Sequence, residues 1–468
     1  MVRAQGSNPA ANSKYREPRA PLDVEGYPLA PADLELQQVH VYVRHGERTP
    51  VSVRMAEAPG NIPEHWLLCK EARRFRAAVA GSELPDQPSK LDVIRTTERS
   101  DGVAVRGECL LGELTDIGRA STYTYGRSLR KIYVEKLGFL PDVLGQSQDV
   151  YFRSTNMPRT VESLQQIIHG LYPMSKCESG VIHEVLIRNG REENLVGNTL
   201  ACRRLETLLV NFAHAAASAY NPTLEPLDRK VSKYIGGNPI RLDGKPRASG
   251  VLDTVRAAMA HGIKIPPEFE ERAVTSTIEK AVVNEWFSDK TEEVRRLGMG
   301  RLLADLSRKM QLKTQEGHNT SAERTPKILI HSTHDTALAG LANTLDVFDD
   351  RWPAFTASFT FELFRRNAQL GAETSSPRDA LNVDPQVQHP QNSGILQTVL
   401  GSSPFRRKLA GEFFVRARYQ NRNLMLPFCA DEGKHLPGSP ELCTLQAFAE
   451  RVHELTPTDW DAECSVGS

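Results

Sequence analysis

Residues 37–50, QQVHVYVRHGERTP, join an apolar segment to a densely charged loop. The first half, QQVHVYV, is rich in valine and aromatic side chains, a composition that favours a β-strand. The second half holds a histidine between two arginines, together with a glycine that lets backbone come close to a ligand. The sequence therefore predicts a strand that ends where residues capable of chemistry begin.

The same order of strand, polar loop and helix occurs twice more. Residues 150–152 (VYF) precede RSTNMP and a helical pattern that reaches Leu171, and residues 327–330 (KILI) precede HSTHD and a helical pattern that reaches Leu345. Short apolar strands that alternate with helices favour parallel pairing, with both faces of the sheet covered. Because ligands bind beyond the carboxyl ends of such strands, we expect the three loops to meet there.

These patterns predict an α/β fold, with a mainly parallel central sheet that is flanked by helices. Between the first two units, residues 112–137 predict a further helix with Thr115 as its N-cap. The pattern of residues 172–325 is mainly helical, which indicates an inserted helical domain between core segments 36–171 and 326–468.

The remaining segments are predicted to be edge strands or disordered. Residues 354–364 (AFTASFTFELF) and 412–419 (EFFVRARY) alternate with a period of two, which favours antiparallel edge strands. Residues 1–35 predict a disordered tail. Residues 366–408 lack periodicity and are rich in Ser, Pro, Gln and Asn, so they predict a disordered connection within the core.

The charge and apolar content of the chain exclude some partners. Lysine plus arginine and aspartate plus glutamate number 58 each, so no net charge favours nucleic acid or an anionic membrane. No run of about 18 apolar residues predicts a transmembrane segment, and no apolar core of a signal peptide is evident. We therefore expect a cytoplasmic protein, with a mitochondrial location as the alternative because basic residues precede the first acidic residue, Glu17.

The seven cysteines are scattered and form no CxxC pair, so the sequence indicates neither a zinc site nor a dense disulfide scaffold. Buried free thiols are the expectation for a chain with a core of this size. Cys429, Cys443 and Cys464 could pair in an oxidising compartment. His331 lies three residues before His334, but no carboxylate or cysteine completes a set of metal ligands, and we predict no bound metal.

The loop at His45 has the composition of an oxyanion site beside a nucleophile. The planar fork of arginine donates two hydrogen bonds at once and keeps its charge, which suits the oxygens of a phosphoryl group. A histidine between Arg44 and Arg48 can then attack phosphorus. The second unit has Arg153 where its strand ends, and the third has His334 and Asp335.

On these motifs the chain resembles the histidine acid phosphatases, the second branch of the histidine phosphatase superfamily. The signatures that carry the resemblance are RHGERTP at 44–50, GELTDIG at 112–118, RSTNMPRT at 153–160 and the His334-Asp335 dipeptide. The resemblance implies a phosphoglycerate mutase-like fold and a phosphomonoesterase that passes through a phosphohistidine. Within the family the chain looks more like the intracellular acid phosphatases that include the lysophosphatidic acid phosphatases than like secreted phytases.

The resemblance also implies roles for individual residues. His45 is the nucleophile, and Asp335 is the general acid that protonates the departing ester oxygen. The residues that hold the phosphate oxygens are Arg44, Arg48, Arg153 and His334. Arg159, on the opening turn of a helix, could equally pair with a nearby acid, so we leave it out of the site. No cofactor is predicted, because the arginines supply the charge that Mg²⁺ supplies elsewhere.

The expected substrate is a small phosphate monoester, such as a lysophospholipid or a sugar phosphate, and no particular oligomeric state is predicted. Because His45 must be unprotonated and Asp335 protonated, we expect an acidic working range. Two other functions remain open. The protein could be a phosphate-binding scaffold that has lost turnover, or a phosphomutase that returns the phosphoryl group to its substrate.

Overall fold

The computed structural model describes residues 22–71, 74–78, 90–145, 147–316, 325–367 and 413–465. Its strands are β1 (Leu34–Arg44), β2 (Arg74–Ala78), β3 (Lys90–Ile94), β4 (Thr97–Glu98), β5 (Ala104–Val105), β6 (Val150–Ser154), β7 (Leu186–Ile187), β8 (Ile328–Thr333), β9 (Ser358–Arg366), β10 (Phe413–Tyr419), β11 (Arg422–Asn423), β12 (His435–Leu436) and β13 (Ser439–Thr444). Its helices are α1 (Asp116–Arg130), α2 (Pro158–Leu171), α3 (Arg203–Leu224), α4 (Asp228–Val231), α5 (Ala248–Ala260), α6 (Arg272–Phe287), α7 (Glu292–Arg295), α8 (Arg301–Gln315), α9 (Asp335–Thr344), α10 (Leu445–Leu455) and α11 (Trp460–Cys464).

Strands β1, β8 and β6 lie side by side and run parallel, as the three repeated units predict. Ile330 of β8 pairs with Val41 on one side and with Phe152 on the other. Every residue of β8 is buried, which is typical of a parallel strand that is covered on both faces. The predicted α/β fold is confirmed, and the loops after β1, β6 and β8 leave the sheet at the same edge.

Helices cover both faces of this sheet. On one face Val41 and Val43 of β1 pack with apolar residues of α1 and α2. On the other face Tyr42 packs with residues of α8, α9 and α10. Burial of each such aliphatic side chain is worth about 1.5–3 kcal/mol. The predicted N-cap of α1 is confirmed, because the Thr115 hydroxyl accepts the backbone N–H of Gly118 at 3.2 Å.

The two predicted edge strands occupy the interior of the sheet, and this part of the prediction is wrong. The sheet has the order β12-β13-β10-β9-β1-β8-β6-β7, so β9 lies between β1 and β10. The alternating polar residues are buried because they satisfy one another: Arg416 Nε donates to Glu362 Oε2 at 2.8 Å. Alternation in the sequence therefore marked an internal ion pair and not a solvent face.

The predicted N-terminal tail is ordered from residue 22 onwards within the described part of the chain. Tyr27 is buried, and its hydroxyl donates to Glu362 Oε1 at 2.7 Å. The Pro28 carbonyl accepts from Arg416 Nη1 at 2.8 Å. These hydrogen bonds hold the segment before β1 against the antiparallel half of the sheet, which no pattern within the segment indicated. Residues 1–21 of the predicted tail lie outside the described residues.

The predicted inserted segment, 172–325, is divided between two cores. Strand β7 pairs in parallel with β6, and α8 packs in the main core. Helices α5 and α6 and the end of α3 form a second core, together with residues from 55 to 109. One face of α5 is turned toward the carboxyl edge of the sheet, where it lines the pocket described below.

Six of the seven cysteines form disulfides, so the expectation of free buried thiols is wrong for these six, and the one free thiol, Cys177, is half-buried. The bridges join Cys69 to Cys109, Cys202 to Cys464 and Cys429 to Cys443. Sequence reasoning missed the first two bridges because their partners are 40 and 262 residues apart and share no local motif. The bridge between Cys429 and Cys443 is one of the C-terminal pairings that the sequence left open.

Two further predictions concern a disordered connection and the absence of a transmembrane segment. The predicted disordered connection, 366–408, lies outside the described residues apart from its first two positions. Among helices in the described ranges, none has the length and apolar composition needed to cross a bilayer.

Candidate active site

The loop after β1 places His45 at the carboxyl edge of the sheet. The backbone N–H of His45 donates to the carbonyl of Thr333, the last residue of β8, at 3.0 Å. The next residue, Gly46, lies directly on Gly118 of α1, and a Cβ on either glycine would collide with backbone of the other segment. Glycine is therefore required at both positions to bring the loop onto the helix.

The imidazole of His45 is held in one tautomer. Its Nδ1 lies 2.9 Å from the Gly46 carbonyl oxygen. A carbonyl only accepts, so Nδ1 carries the proton of the neutral ring and Nε2 keeps its lone pair. Burial lowers the pKa of His45 well below its ordinary value of 6.5, and the charges of Arg44 and Arg48 lower it further. Nε2 is thus available as a nucleophile at neutral and mildly acid pH.

Arg44 joins the loop to the N-terminus of α9. Its Nη2 lies 2.7 Å from Asp335 Oδ2, its Nη1 donates to the Pro353 carbonyl at 2.6 Å, and its guanidinium lies over the Phe355 ring at 4.1 Å. The same Asp335 oxygen accepts the indole N–H of Trp352 at 2.9 Å. Two donors therefore hold Oδ2 of Asp335. This oxygen would have to carry the proton if Asp335 acted as a general acid.

His334 and Asp335 stand together at the end of β8, as predicted. His334 Nε2 lies 3.0 Å from the Thr155 hydroxyl, and burial is the main reason why the pKa of His334 falls to about 4. Burial alone would raise the pKa of Asp335, but the charges of Arg44 and Arg48 outweigh it and lower that pKa. With no anion bound, both histidines are neutral and the aspartate is ionised.

Arg48 is paired with a carboxylate that the sequence analysis did not single out. Its Nη2 lies 2.8 Å from Asp253 Oδ1, and Asp253 Oδ2 accepts the backbone N–H of Val51 at 3.0 Å. Asp253 belongs to one face of α5 that lines the pocket: Ser249, Leu252, Asp253 and Arg256. This spacing of three and four residues was the available signal for a polar helix face.

The structure separates the two arginines of RSTNMPRT. Arg153, inside β6, is 1% exposed, and its guanidinium donates to the carboxylate of Glu193 and to Asn194 Oδ1 at 2.8 Å. Arg159, on the first turn of α2, lies with the other arginines instead. Burial, together with the charge of Arg48, lowers the pKa of Arg159 to about 10.

Arg153, which was predicted to contact phosphate, is held by Glu193 and Asn194, whereas Arg159, which was left out of the predicted site, lies near Arg44 and Arg48. A side chain inside a strand projects from a face of the sheet and not beyond its carboxyl end. The first turn of the following helix, in contrast, lies over that end. Position on the turn after the strand was the signal that could have identified Arg159.

A pocket of about 360 Å³ opens at this group of residues. Its wall combines charged and apolar side chains: Arg44, Arg48, Ser249, Leu252, Asp253, Arg256, Val282, Asp335, Trp352 and Phe355. In the part of the chain that the structure describes, no group of three or more His, Cys, Asp or Glu side chains is arranged to hold a metal ion. The arrangement can bind an oxyanion beside a neutral imidazole.

Comparisons with known proteins identify the family of this chain. Residues 35–379 match the histidine phosphatase superfamily (branch 2). A probable acid phosphatase of Schizosaccharomyces pombe is 33% identical over 445 residues, which cover 93% of this chain and 95% of the relative. Lysophosphatidic acid phosphatase type 6 of Mus musculus is 31% identical over 339 residues, which cover 71% of this chain and 76% of the relative.

A solved structure shows the same fold at lower sequence identity. The phytase of Hafnia alvei in complex with tartrate superposes with a TM-score of 0.54 at 14% identity, covering 94% of this chain and 100% of the phytase. The family match includes the loop with His45, the helix turn with Arg159 and the His334-Asp335 dipeptide. The chain belongs to branch 2 of the histidine phosphatase superfamily.

Proposed function

We propose that the protein is a phosphomonoesterase that transfers the phosphoryl group of its substrate to Nε2 of His45. The observation that carries the proposal is the tautomer of this histidine, whose Nδ1 donates to the Gly46 carbonyl and leaves Nε2 unprotonated beside the arginines. The acid phosphatase names of the relatives support the same reaction. Arg44, Arg48 and Arg159 would hold the non-bridging oxygens with their guanidinium groups.

The reaction has two steps. First, Nε2 of His45 attacks phosphorus and the P–O ester bond breaks, while the carboxyl group of Asp335 gives its proton to the leaving oxygen. An alkoxide leaves poorly near neutral pH, so this proton is needed. Second, water attacks the phosphohistidine, Asp335 accepts a proton from that water, and inorganic phosphate is released. His334 would bind a phosphate oxygen throughout.

The source of the first proton follows from the charge of the site. Asp335 is ionised while Arg44 holds it. When a phosphate group takes over Arg44, the attraction that lowers the pKa of Asp335 weakens and the carboxylate can be protonated. A phosphate monoester below its second pKa of about 6 is a monoanion that carries a proton of its own. The proposed enzyme therefore works best at acid pH.

The walls of the pocket bear on the substrate. Beyond the arginines they are lined by apolar side chains of Leu252, Val282, Trp352 and Phe355, which suits a leaving group that is partly apolar. This favours a lysophospholipid over a sugar phosphate, in line with the name of the mouse relative. Rates on lysophosphatidic acid, inositol hexakisphosphate and a small aryl phosphate should fall in an order with lysophosphatidic acid first and the hexakisphosphate last.

The covalent intermediate can be trapped directly. Acid-sensitive, alkali-stable phosphoprotein should appear when the enzyme is quenched during turnover of a ³²P-labelled monoester, and His45→Ala should abolish it. His169→Ala, which replaces an exposed histidine on α2, is the matched control and should keep the label. Labelling that survives in His45→Ala would rule out this nucleophile.

We also infer that the protein works in an oxidising compartment, contrary to the cytoplasmic location that the sequence predicts. The three disulfides support this, because such bridges are rare where thiols are kept reduced. Alkylation of protein from its native source before reduction should modify Cys177 alone. Modification of all seven cysteines would show that the thiols are reduced, and it would support a reducing compartment instead.

A further inference from the structure

Every arginine on the wall of the pocket is paired with a carboxylate from a different part of the fold. The pairs are Arg44 with Asp335, Arg48 with Asp253 and Arg256 with Glu279, at 2.7, 2.8 and 2.6 Å. Arg159 adds a fourth cation beside Arg48. These four arginines and three carboxylates together carry one positive charge in excess, which a single monoanionic phosphate group already balances.

We propose that Asp253 is a specificity-determining residue that restricts the pocket to substrates with one phosphate group, an inference that rests on the proposed function. Asp253 is placed in the pocket by two contacts, with the guanidinium of Arg48 and with the backbone N–H of Val51. A substrate phosphate that takes over Arg48 removes only the first. The hydrogen bond from Val51 keeps the carboxylate in place, so its negative charge then faces the rest of the substrate.

The other cation of the pocket is not available to offset that charge. Arg256 lies one helical turn after Asp253 on α5, and its Nη2 is 2.6 Å from Glu279 Oε1. Glu279 is held in turn by the backbone N–H of Trp352 at 3.0 Å. A second phosphate group would therefore meet Asp253 and an arginine that already has a fixed counter-ion. A like charge placed against a ligand in this way disfavours its binding.

A neutral leaving group meets no such barrier. Its hydroxyl or ester groups can lie beside Asp253 and Ser249, and its apolar part can contact Leu252 and Val282. The same face of α5 therefore accepts an uncharged leaving group and rejects a charged one. This separates the pocket of this protein from one that binds a polyphosphorylated ring.

The test is Asp253→Asn, which removes the charge and keeps an oxygen that can accept from Val51. We compare kcat/KM for inositol hexakisphosphate with kcat/KM for 4-nitrophenyl phosphate, and we expect the ratio of the first to the second to rise by about tenfold. This is the effect of removing one charge a few ångströms away at a high effective dielectric constant. A purely structural role would lower both values together and leave the ratio unchanged, and that result would overturn the proposal.

A matched control is available on α4. Asp228 also pairs with an arginine, Arg241, at 2.9 Å and also accepts a backbone N–H, that of Ile240, at 2.9 Å, but it does not line the pocket. Asp228→Asn should leave the substrate ratio as it is in the unaltered protein. An equal rise of the ratio in this variant would show that the effect does not come from Asp253.

Binding separates this inference from the proposed function. In a His45→Ala background, calorimetry with inorganic phosphate and with inositol hexakisphosphate should show that Asp253→Asn strengthens binding of the hexakisphosphate about tenfold relative to phosphate. If the unaltered protein hydrolyses no monoester, the proposed function fails while this ratio still decides the role of Asp253. If turnover is normal and neither ratio moves, only the role of Asp253 is refuted.

Discussion

Two groups of arginines and carboxylates lie in the sheet or beside its edge, and they differ in what surrounds them. In the pocket group, Arg44 and Arg48 pair with acids on the wall of an open cavity. In the interior group, Glu362 is 0% exposed and lies between Arg416 and Arg418 in the antiparallel half of the sheet. The composition of the two groups is similar, but only the first can exchange an internal anion for one from solution.

In the interior group, both oxygens of the Glu362 carboxylate accept hydrogen bonds from the protein. Glu362 Oε1 accepts the hydroxyls of Tyr27 and Tyr133, both at 2.7 Å, and Oε2 accepts from Arg416 at 2.8 Å. All these partners belong to the protein, so the group acts as a clamp. The pocket group has the same kind of pair at a place where a phosphate can replace the carboxylate. Access to a cavity, and not the residue types, separates a structural ion pair from an anion site.

The largest expected effect comes from breaking the clamp. Glu362→Gln leaves Arg416 and Arg418 buried without their counter-ion and should lower the free energy of unfolding by about 3–5 kcal/mol. Urea denaturation measures the loss, and kcat per folded molecule should not change. Glu35→Gln is the control, since Glu35 pairs with Arg365 of β9 at 2.8 Å on the surface and should cost at most about 1 kcal/mol. Equal losses in the two variants would remove the distinction between the groups.

The two arginines of RSTNMPRT sharpen the comparison. Arg159→Ala should lower kcat/KM by about 10²–10³-fold, because it removes a donor to the charge of the transition state, with little change in stability. Arg153→Ala should instead lower the free energy of unfolding and change kcat/KM little, because Glu193 would be left buried without its cation. Steady-state kinetics and denaturation of both variants measure this. A loss of activity in folded Arg153→Ala equal to that of Arg159→Ala would restore Arg153 to the site.

The pH profile tests whether Asp335 can change its partner. The pKa values of Asp335 and Glu362 are both held down by arginines in spite of burial, but only Asp335 can lose its cation to a ligand. We expect kcat/KM to be level between about pH 4 and 6 and to fall about tenfold per unit above pH 6, as the monoanionic substrate disappears. Below about pH 4 the protonation of His334, whose pKa is about 4, changes the charge of the site, so the level range ends there. A rate that rises from pH 5 to pH 9 would contradict the proposed proton transfer.

The smallest effect concerns the indole that holds Asp335. Trp352→Phe removes a hydrogen bond to Oδ2 but keeps the aromatic contact with Phe287. Without this donor the pKa of Asp335 should rise, and kcat for alkyl phosphates should fall about threefold to tenfold because the acid is less well oriented. Rates with 4-nitrophenyl phosphate, whose leaving group needs no proton, should change less. Trp286→Phe, beside Trp352, controls for the loss of an indole.

The parallel half of the fold and most of the site could be predicted from the sequence, because each strand, loop and helix there is a local pattern. His45, His334 and Asp335 follow strands directly, so the topology alone brings them together. The position of Arg159 depends on how the first turn of α2 lies over the sheet, and Asp253 reaches the site from a helix more than 200 residues after the loop. The local signals of these two residues, a position on the turn after a strand and a polar helix face, do not by themselves show that either residue reaches the site.

The antiparallel half could not be predicted for a related reason. Alternating polar residues in β9 and β10 normally indicate a solvent face. Here they are covered by the segment around Tyr27, which is distant in sequence. Buried charges that satisfy one another have the same local pattern as exposed ones, so only the partner segment distinguishes the two.

The bridge between Cys202 and Cys464 closes the chain into a covalent ring that spans 262 residues of sequence. Asp253, His334 and Asp335 lie inside this ring, whereas His45 and Arg48 lie before it. After a single proteolytic cut anywhere within the ring, the disulfide would still join the two fragments of the chain until a reductant is added. A protein nicked in this way would migrate as one chain on a non-reducing gel and could keep its activity.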